Sequence, residues 1–208
     1  MSERAHPDET GFKDKWRLGR LKGIIPWLIK DENPYRKALF WRYNFINKYC
    51  AEKDVLDIPC GMGWGTSLLR KCRTLIGVDI SEEAINDAKQ RYGNTVSFQV
   101  GSMKQLNFSE NSFDLISCLE GIEHVPIDVG TSFIAECHRV LRSKGKLIIS
   151  SPYCTTGEHS GNPFHVKEYK IDELNELLKP YFDVLYIDSC EVDNLIISLF
   201  VTNKKYKN

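Results

Sequence analysis

An α/β fold built on a mostly parallel, seven-stranded sheet with helices on both faces is predicted from three features of the chain. From Asp54 onward, short β-branched or apolar runs alternate with amphipathic ones, the pattern of successive βαβ units. The first run, Val55-Leu-Asp57, leads into Cys60-Gly61-Met62-Gly63-Trp64-Gly65, a loop whose glycines let backbone N–H groups approach a ligand closely. The last two runs have no helical pattern between them, only Glu191-Val-Asp-Asn194, so they form an antiparallel pair closing the sheet.

Taken in order, strands are expected at 54–58, 74–79, 96–100, 113–118, 145–151, 183–189 and 194–201. Helices are expected at 65–72, 82–92, 130–142 and 171–180. Ser81 followed by Glu82 and Glu83 is a helix N-cap with acidic first-turn residues. Ile134, Cys137, His138 and Leu141 fall at i, i+3, i+4 and i+7, giving the third of these helices one face for the sheet. The helix expected after the glycine loop, Thr66 to about Cys72, would offer its positive N-terminal end to an anion.

The 208 residues suffice for one packed domain with a modest appendage. Residues 51–208 form that domain and residues 1–50 a helical N-terminal extension or lid. Formal net charge is zero, which gives no reason to expect nucleic acid as a partner. The charge is unevenly spread. Residues 11–48 carry ten Lys/Arg against three acidic residues, a segment of +7, interleaved with Trp16, Trp27, Tyr35, Phe40, Trp41, Tyr43 and Phe45. That segment reads as a lid over the site, as a surface for acidic lipid or phosphorylated glycan, or as a solvated basic face.

Seven cysteines without a C-x-x-C spacing read as reduced, mostly buried thiols of a cytoplasmic protein. The N-terminal residues lack the apolar stretch of a secretory signal, and no apolar run reaches the ~20 residues of a membrane span.

The glycine spacing is G-x-G-x-G, not the G-x-G-x-x-G of a dinucleotide site, and Asp57 precedes it. An acid at that strand end can accept from an ammonium group, which suits an amino-acid moiety better than a diphosphate. Asp79 ends the second strand, where a carboxylate can take a ribose diol. Ser102 and Met103 follow the third strand, placed to meet an adenine.

These pieces resemble the class I S-adenosylmethionine-dependent methyltransferases, with their Rossmann-like sheet, over residues ~40–200. The resemblance rests on Asp57 through Gly65, Gly77-Val-Asp79-Ile80-Ser81, Ser112-Phe-Asp114, Glu123-His124-Val125 and Arg139 through Gly145. It implies S-adenosylmethionine as cofactor. Asp57, Gly61, Gly63 and Gly65 would hold the methionine part and Asp79 the ribose. Ser102 and Met103 would contact the adenine, with Ile80 and Glu120 completing the set. Pro59, and Ser143-Lys144 in place of a common Pro-Gly turn, depart from the family pattern without removing a ligand-contacting group.

An aliphatic hydroxyl needs a base or a metal to accept a methyl group at neutral pH. Glu120, Glu123 and His124 follow the fourth strand at i, i+3 and i+4, on one face if the turn is helical. The Glu-x-x-Glu-His run resembles that of ubiquinone-pathway O-methyltransferases and of methyltransferases acting on small-RNA ends, where it binds a divalent metal. Lacking a clear fourth ligand, the run here favours no metal. His124, Glu123 and His165 are then the catalytic candidates, His124 as base. If a metal binds, Glu120, Glu123 and His124 are its ligands, with His165 and then His159 the next candidates.

Residues 152–169 form a long connection rich in aromatic, hydroxyl and imidazole groups. Its Asn162-to-Tyr169 stretch resembles methyltransferases acting on bacterial surface glycans and nucleotide sugars. The expected reaction is therefore O-methylation of a small polar acceptor such as a sugar or glycan. The alternatives are metal-dependent RNA 2′-hydroxyl methylation, or a cofactor-binding protein of the same fold without turnover.

Overall fold

A computed structural model describes residues 34–192 and 195–206. Residues 1–33 of the expected lid, with Trp16 and Trp27, lie outside the described residues, as do Asp193 and Asn194 of the final loop. The elements are α1 (Pro34–Ile46), β1 (Asp54–Asp57), β2 (Thr74–Asp79), α2 (Glu82–Tyr92) and β3 (Ser97–Val100). They continue with β4 (Phe113–Leu119), α3 (Ile127–Val140), β5 (Leu141–Cys154), α4 (Ile171–Leu178), β6 (Phe182–Val192) and β7 (Leu195–Lys204).

The seven strands form one sheet in the order β3-β2-β1-β4-β5-β7-β6. Strands β1 to β5 pair in parallel, and β7 runs antiparallel to both β5 and β6. The expected mostly parallel sheet with one reversed strand is what forms. Because successive strand residues face opposite ways, the central strands feed two cores. Leu56, Ile116 and Cys118 pack with Phe133 and Ile134 of α3 and Leu174 and Leu178 of α4. Val55, Leu115 and Leu119 pack on the other face with Tyr43, Phe45 and Ile46 of α1. Helix α2 covers the β2–β3 end through Ile85 and Ala88 against Phe98. Fully buried side chains such as Phe133, Phe182 and Phe200 each contribute roughly 1.5–3 kcal/mol by leaving water.

Helix ends follow local chemistry. Ser81 caps α2 by accepting from the Ala84 amide at 3.2 Å. Helix α3 begins at Ile127, directly after Pro126, three residues earlier than expected, because proline is tolerated at a helix start. It ends at Val140, where Leu141 turns extended and opens β5.

One expected element is corrected. Residues 65–72 do not form a helix; only a single 3₁₀ turn, Thr66–Leu68, is present. Leu69 is extended, and the polar groups that would continue the helix are taken by a side chain. Asn47 Nδ2 donates to the Leu68 carbonyl at 3.0 Å, and its Oδ1 accepts from the Arg70 amide at 2.8 Å. A three-residue turn has no useful macrodipole, so the anion-binding role expected of that helix falls away. Asn47→Ala is expected to destabilise the domain by about 1–3 kcal/mol in urea unfolding, because two backbone groups lose their partner together.

Candidate active site

Strand order reverses between β1 and β4, with β2 and β3 on one side and β5 on the other. At such a switch point the connections leaving neighbouring strands diverge and open a crevice at the carboxyl edge. A cleft of about 1190 Å³ lies there. It is lined by Gly61 after β1, Asp79 and Ile80 after β2, Ser102 and Met103 after β3, and Glu120, Glu123 and His124 after β4. Asn162 and His165 of the long loop and Arg42 and Tyr43 of α1 complete it. A second cavity, about 550 Å³, is lined by Glu136, Arg139 and Lys204 instead, and Arg139 is there paired to Glu136 at 2.7 Å.

Asp57 is fully buried and is not among the residues lining the cleft. Its carboxylate accepts from Thr66 Oγ1 and Ser117 Oγ, each at 2.6 Å, and from the Tyr43 hydroxyl at 3.4 Å. The acid expected to meet an ammonium group thus ties the glycine loop to β4 and α1 from beneath. Burial pushes its pKa up to about 6, against the pull of the hydroxyls of Ser117, Thr66 and Tyr43. Burial and the same carboxylate push the Tyr43 hydroxyl pKa up.

The three glycines have separate tasks. Gly61 alone lines the cleft; its backbone is left-handed (φ +53°), with nothing within 4 Å of where a Cβ would stand. At Gly63 (φ +75°) a Cβ would come within 2.6 Å of the Phe98 ring, and at Gly65 within 2.0 Å of the Tyr43 ring. These two glycines let α2, β3 and α1 close on the loop.

Asp79 is nearly buried at the cleft wall. Oδ2 accepts from the Gly61 amide at 2.8 Å and Oδ1 from the Ser81 amide at 2.9 Å, which fixes the carboxylate's plane. Ile80 beside it is exposed, an apolar surface at the mouth. Ser102 Oγ accepts from the Lys104 amide at 3.1 Å, and Met103 is buried at the same end.

After β4, Glu120 has a left-handed backbone (φ +49°), so it stands outside the 3₁₀ turn Ile122–His124. The single helical face expected for Glu120, Glu123 and His124 is therefore not formed. Glu120 Oε1 instead accepts from Ser150 Oγ at 2.6 Å, while Oε2 lies 3.8 Å from Arg42 Nη1. The long loop joins the other two residues. Val166 and Lys167 amides donate to the Glu123 carbonyl at 2.7 and 3.1 Å, and His124 Nδ1 lies 3.0 Å from the Phe164 carbonyl. That contact requires Nδ1–H, so in the neutral ring Nε2 is the acceptor. The buried Glu123 carboxylate sits 4.0 Å from this nitrogen.

Candidate ligand atoms of Glu123, His124 and His165 lie within 4.8 Å of one another, so among the described residues these three, without Glu120, are the group placed to hold a cation. Two imidazoles and a carboxylate suit Zn²⁺, Mn²⁺ or Fe²⁺. His165 Nδ1 is 2.7 Å from Glu168 Oε1, and both side chains are buried. Although burial opposes it, hydrogen bonds from Ser160 and His165 hold the Glu168 carboxyl below the usual range. Glu168 went unnoticed in the sequence, where the i,i+3 spacing from His165 was its only signal. Ser117 and Thr66 gave none, being small polar residues whose partner is distant in the chain.

Asp57 titrates higher in the folded chain than unfolded, so its contribution to stability is fully present below the unfolded pKa and is lost as pH rises through about 6. Asp57→Asn lacks this dependence. Its stability relative to the parent is expected to improve by roughly 2 kcal/mol between pH 4 and pH 7, measured by urea unfolding across that range.

Residues 56–149 match the model of a methyltransferase domain. A probable S-adenosylmethionine-dependent methyltransferase of Mycolicibacterium smegmatis is 34% identical over 160 residues, covering 74% of this chain and 61% of that protein. The chain therefore spans somewhat under two thirds of that relative's length. Among solved structures, the PH0226 protein of Pyrococcus horikoshii superposes with a TM-score of 0.69 at 24% identity, covering 94% of this chain and 100% of the other. The N-methyltransferase NodS of Bradyrhizobium japonicum, solved with S-adenosylhomocysteine, gives 0.69 at 21% identity, covering 91% of this chain and 92% of NodS. The 3-2-1-4-5-7-6 sheet with its cleft at the β1–β4 switch point is the fold of these two solved structures, and residues 56–149 within it match a methyltransferase domain.

Proposed function

We propose that this chain transfers the methyl group of S-adenosylmethionine to a hydroxyl of a small polar acceptor, a sugar or glycan, bound beneath the 155–168 loop. The observation that carries the reading is His124: Nδ1 committed to the Phe164 carbonyl, Nε2 open as an acceptor, in the wall of a cleft large enough for two ligands. In this reading Asp79 takes the ribose hydroxyls, Ile80, Ser102 and Met103 surround the adenine, and Gly61 and Glu120 meet the amino-acid tail. Asp57, Gly63 and Gly65 shape the loop from below without touching the cofactor. The 1–50 extension serves as a lid, of which α1 is the part seated on the sheet.

The cofactor brings an electrophilic methyl, so the protein's tasks are alignment, exclusion of water and acceptance of the acceptor's proton. His124 Nε2 takes the proton. The Glu123 carboxylate lies 4.0 Å from that nitrogen, and His165, held by Glu168, flanks the same space. Phe164 and Asn162 supply a ring face and an amide for a polar ring-shaped acceptor.

A second reading uses the same donors. The proximity of Glu123, His124 and His165 favours a divalent cation that would lower the pKa of a bound hydroxyl. Chelation separates the two: activity that survives EDTA treatment supports the base, and activity lost to EDTA and restored by Mn²⁺ or Zn²⁺ supports the metal.

Calorimetric titration with S-adenosylhomocysteine tests the cofactor half. Asp79→Ala is expected to weaken binding by about 1–3 kcal/mol, and an unchanged affinity would overturn the ribose assignment. His124→Gln is expected to lower kcat about 10²–10⁴-fold while leaving S-adenosylhomocysteine affinity unchanged. Equal loss of both would mean that His124 supports the loop and not the reaction.

A further inference from the structure

Among the described residues nine large apolar side chains stand exposed, and five of them gather at the carboxyl edge of the sheet, around the mouth of the cleft. Ile80 and Phe164 line the cleft itself. Val100 pairs with Asp79 and precedes Gly101 of the wall, Ile127 follows Pro126, and Val166 follows His165. They form two groups across the opening. Ile80 and Val100 stand at the ends of β2 and β3; Ile127, Phe164 and Val166 stand beyond β4, at the start of α3 and on the long loop. Backbone bonds fix the exposure of the loop pair. The Phe164 carbonyl accepts from His124 Nδ1 and the Val166 amide donates to the Glu123 carbonyl, so the loop is pinned while both side chains remain in solvent.

The chain enters α1 at this same edge. Ala38, near the start of the helix, packs with Val192 and Ile197, and Leu195 beside them pairs with Cys154 at the carboxyl end of β5. Just ahead of α1 in the sequence, residues 13–30 hold six Lys/Arg against Asp14 alone, with Trp16 and Trp27 among them. Single exposed apolar residues are ordinary, but five on one edge beside a basic, aromatic stretch mark a contact surface. The open mouth divides that surface in two, which leaves no continuous apolar patch for a rigid protein partner. Nucleic acid would answer the charge and leave the apolar rim unused. A bilayer interface takes separate apolar side chains, and it holds a protein firmly when two signals coincide: apolar insertion and attraction of basic residues to anionic headgroups.

We propose that the carboxyl edge of the sheet docks on the surface of an anionic bilayer, the apolar rim entering the interface and residues 13–30 supplying the positive charge. In that orientation the cleft opens toward the lipid headgroups. The inference goes beyond methyl transfer and does not depend on it.

Co-sedimentation of the full chain with vesicles tests the docking. Vesicles of phosphatidylcholine alone are compared with an equal mixture of phosphatidylcholine and phosphatidylglycerol, at low and at high salt. The parent is expected to pellet with the anionic vesicles, to be released from them by salt and to stay in solution with the neutral ones. Ile127→Ser combined with Val166→Ser is expected to weaken anionic binding about threefold or more, and Val100→Ser, across the mouth, to weaken it in the same direction. Arg17→Gln, Arg20→Gln and Lys22→Gln together are expected to weaken it about tenfold or more. Urea midpoints equal to the parent's show the variants to be folded. A parent that pellets with neither vesicle, or equally with both, overturns the proposal. So does a loss confined to the charge variant, because the rim then takes no part. Self-association of the parent without lipid, abolished by Ile127→Ser with Val166→Ser, assigns the rim to a second copy of the chain and overturns the proposal in that direction.

Discussion

One buried carboxylate organises this domain. Asp57 ends β1 with no exposure to solvent, and the three hydroxyls that answer it come from the turn after the glycine loop, from β4 and from α1. Each partner lies on a different element, so satisfying one charge fixes the loop against two strands and a helix. The rise in its pKa measures what the burial costs, and the hydroxyl bonds offset part of that cost. Gly65 follows from the same constraint, because the Tyr43 ring that reaches Asp57 occupies the space a Cβ would need.

The cleft is a consequence of topology, and its chemistry arrives on loops. Parallel strands on either side of β1 send their connections apart, which opens the carboxyl edge, and each strand end contributes its next residues to the wall. The two halves of the wall differ in how they are held. Around Gly61, Asp79 and Ser102 the polar groups are fixed by short backbone bonds from neighbouring residues. Around Glu123, His124 and His165 they are held by a long loop clipped to the turn after β4 through the Glu123 and Phe164 carbonyls. One half of the wall is thus held by bonds at the strand ends and the other by a loop anchored to the turn after β4.

Side chains on α1 link these halves. Tyr43 reaches under the glycine loop, and Arg42, the next residue back, stands in the cleft near Glu120. Adjacent residues on a helix point about 100° apart, so one turn of α1 can both brace the loop and present a cation to the ligand space. The helix is therefore part of the site as well as a cover for the sheet.

Much of this was legible in the chain. Short continuous apolar runs mark strands buried on both faces, Ser81 marks a helix start, and Asp57, the glycines and Asp79 mark the strand ends that build the crevice. These signals are local, and local sterics and capping chemistry determine them. What the sequence could not show is where a side chain finds a partner far along the chain. Asn47 arrests the helix after the loop, and Asp57 turns inward because Ser117 lies 60 residues away on the adjacent strand. Glu120 leaves the cluster that spacing assigned it to because its own backbone is left-handed, and His165 enters that cluster because the loop bonds to Glu123. Residue types and their order determined which chemistry the chain carries; only the folded contacts decided which groups face the ligand and which serve to hold them, because burial and hydrogen-bond geometry depend on neighbours that sequence distance does not encode.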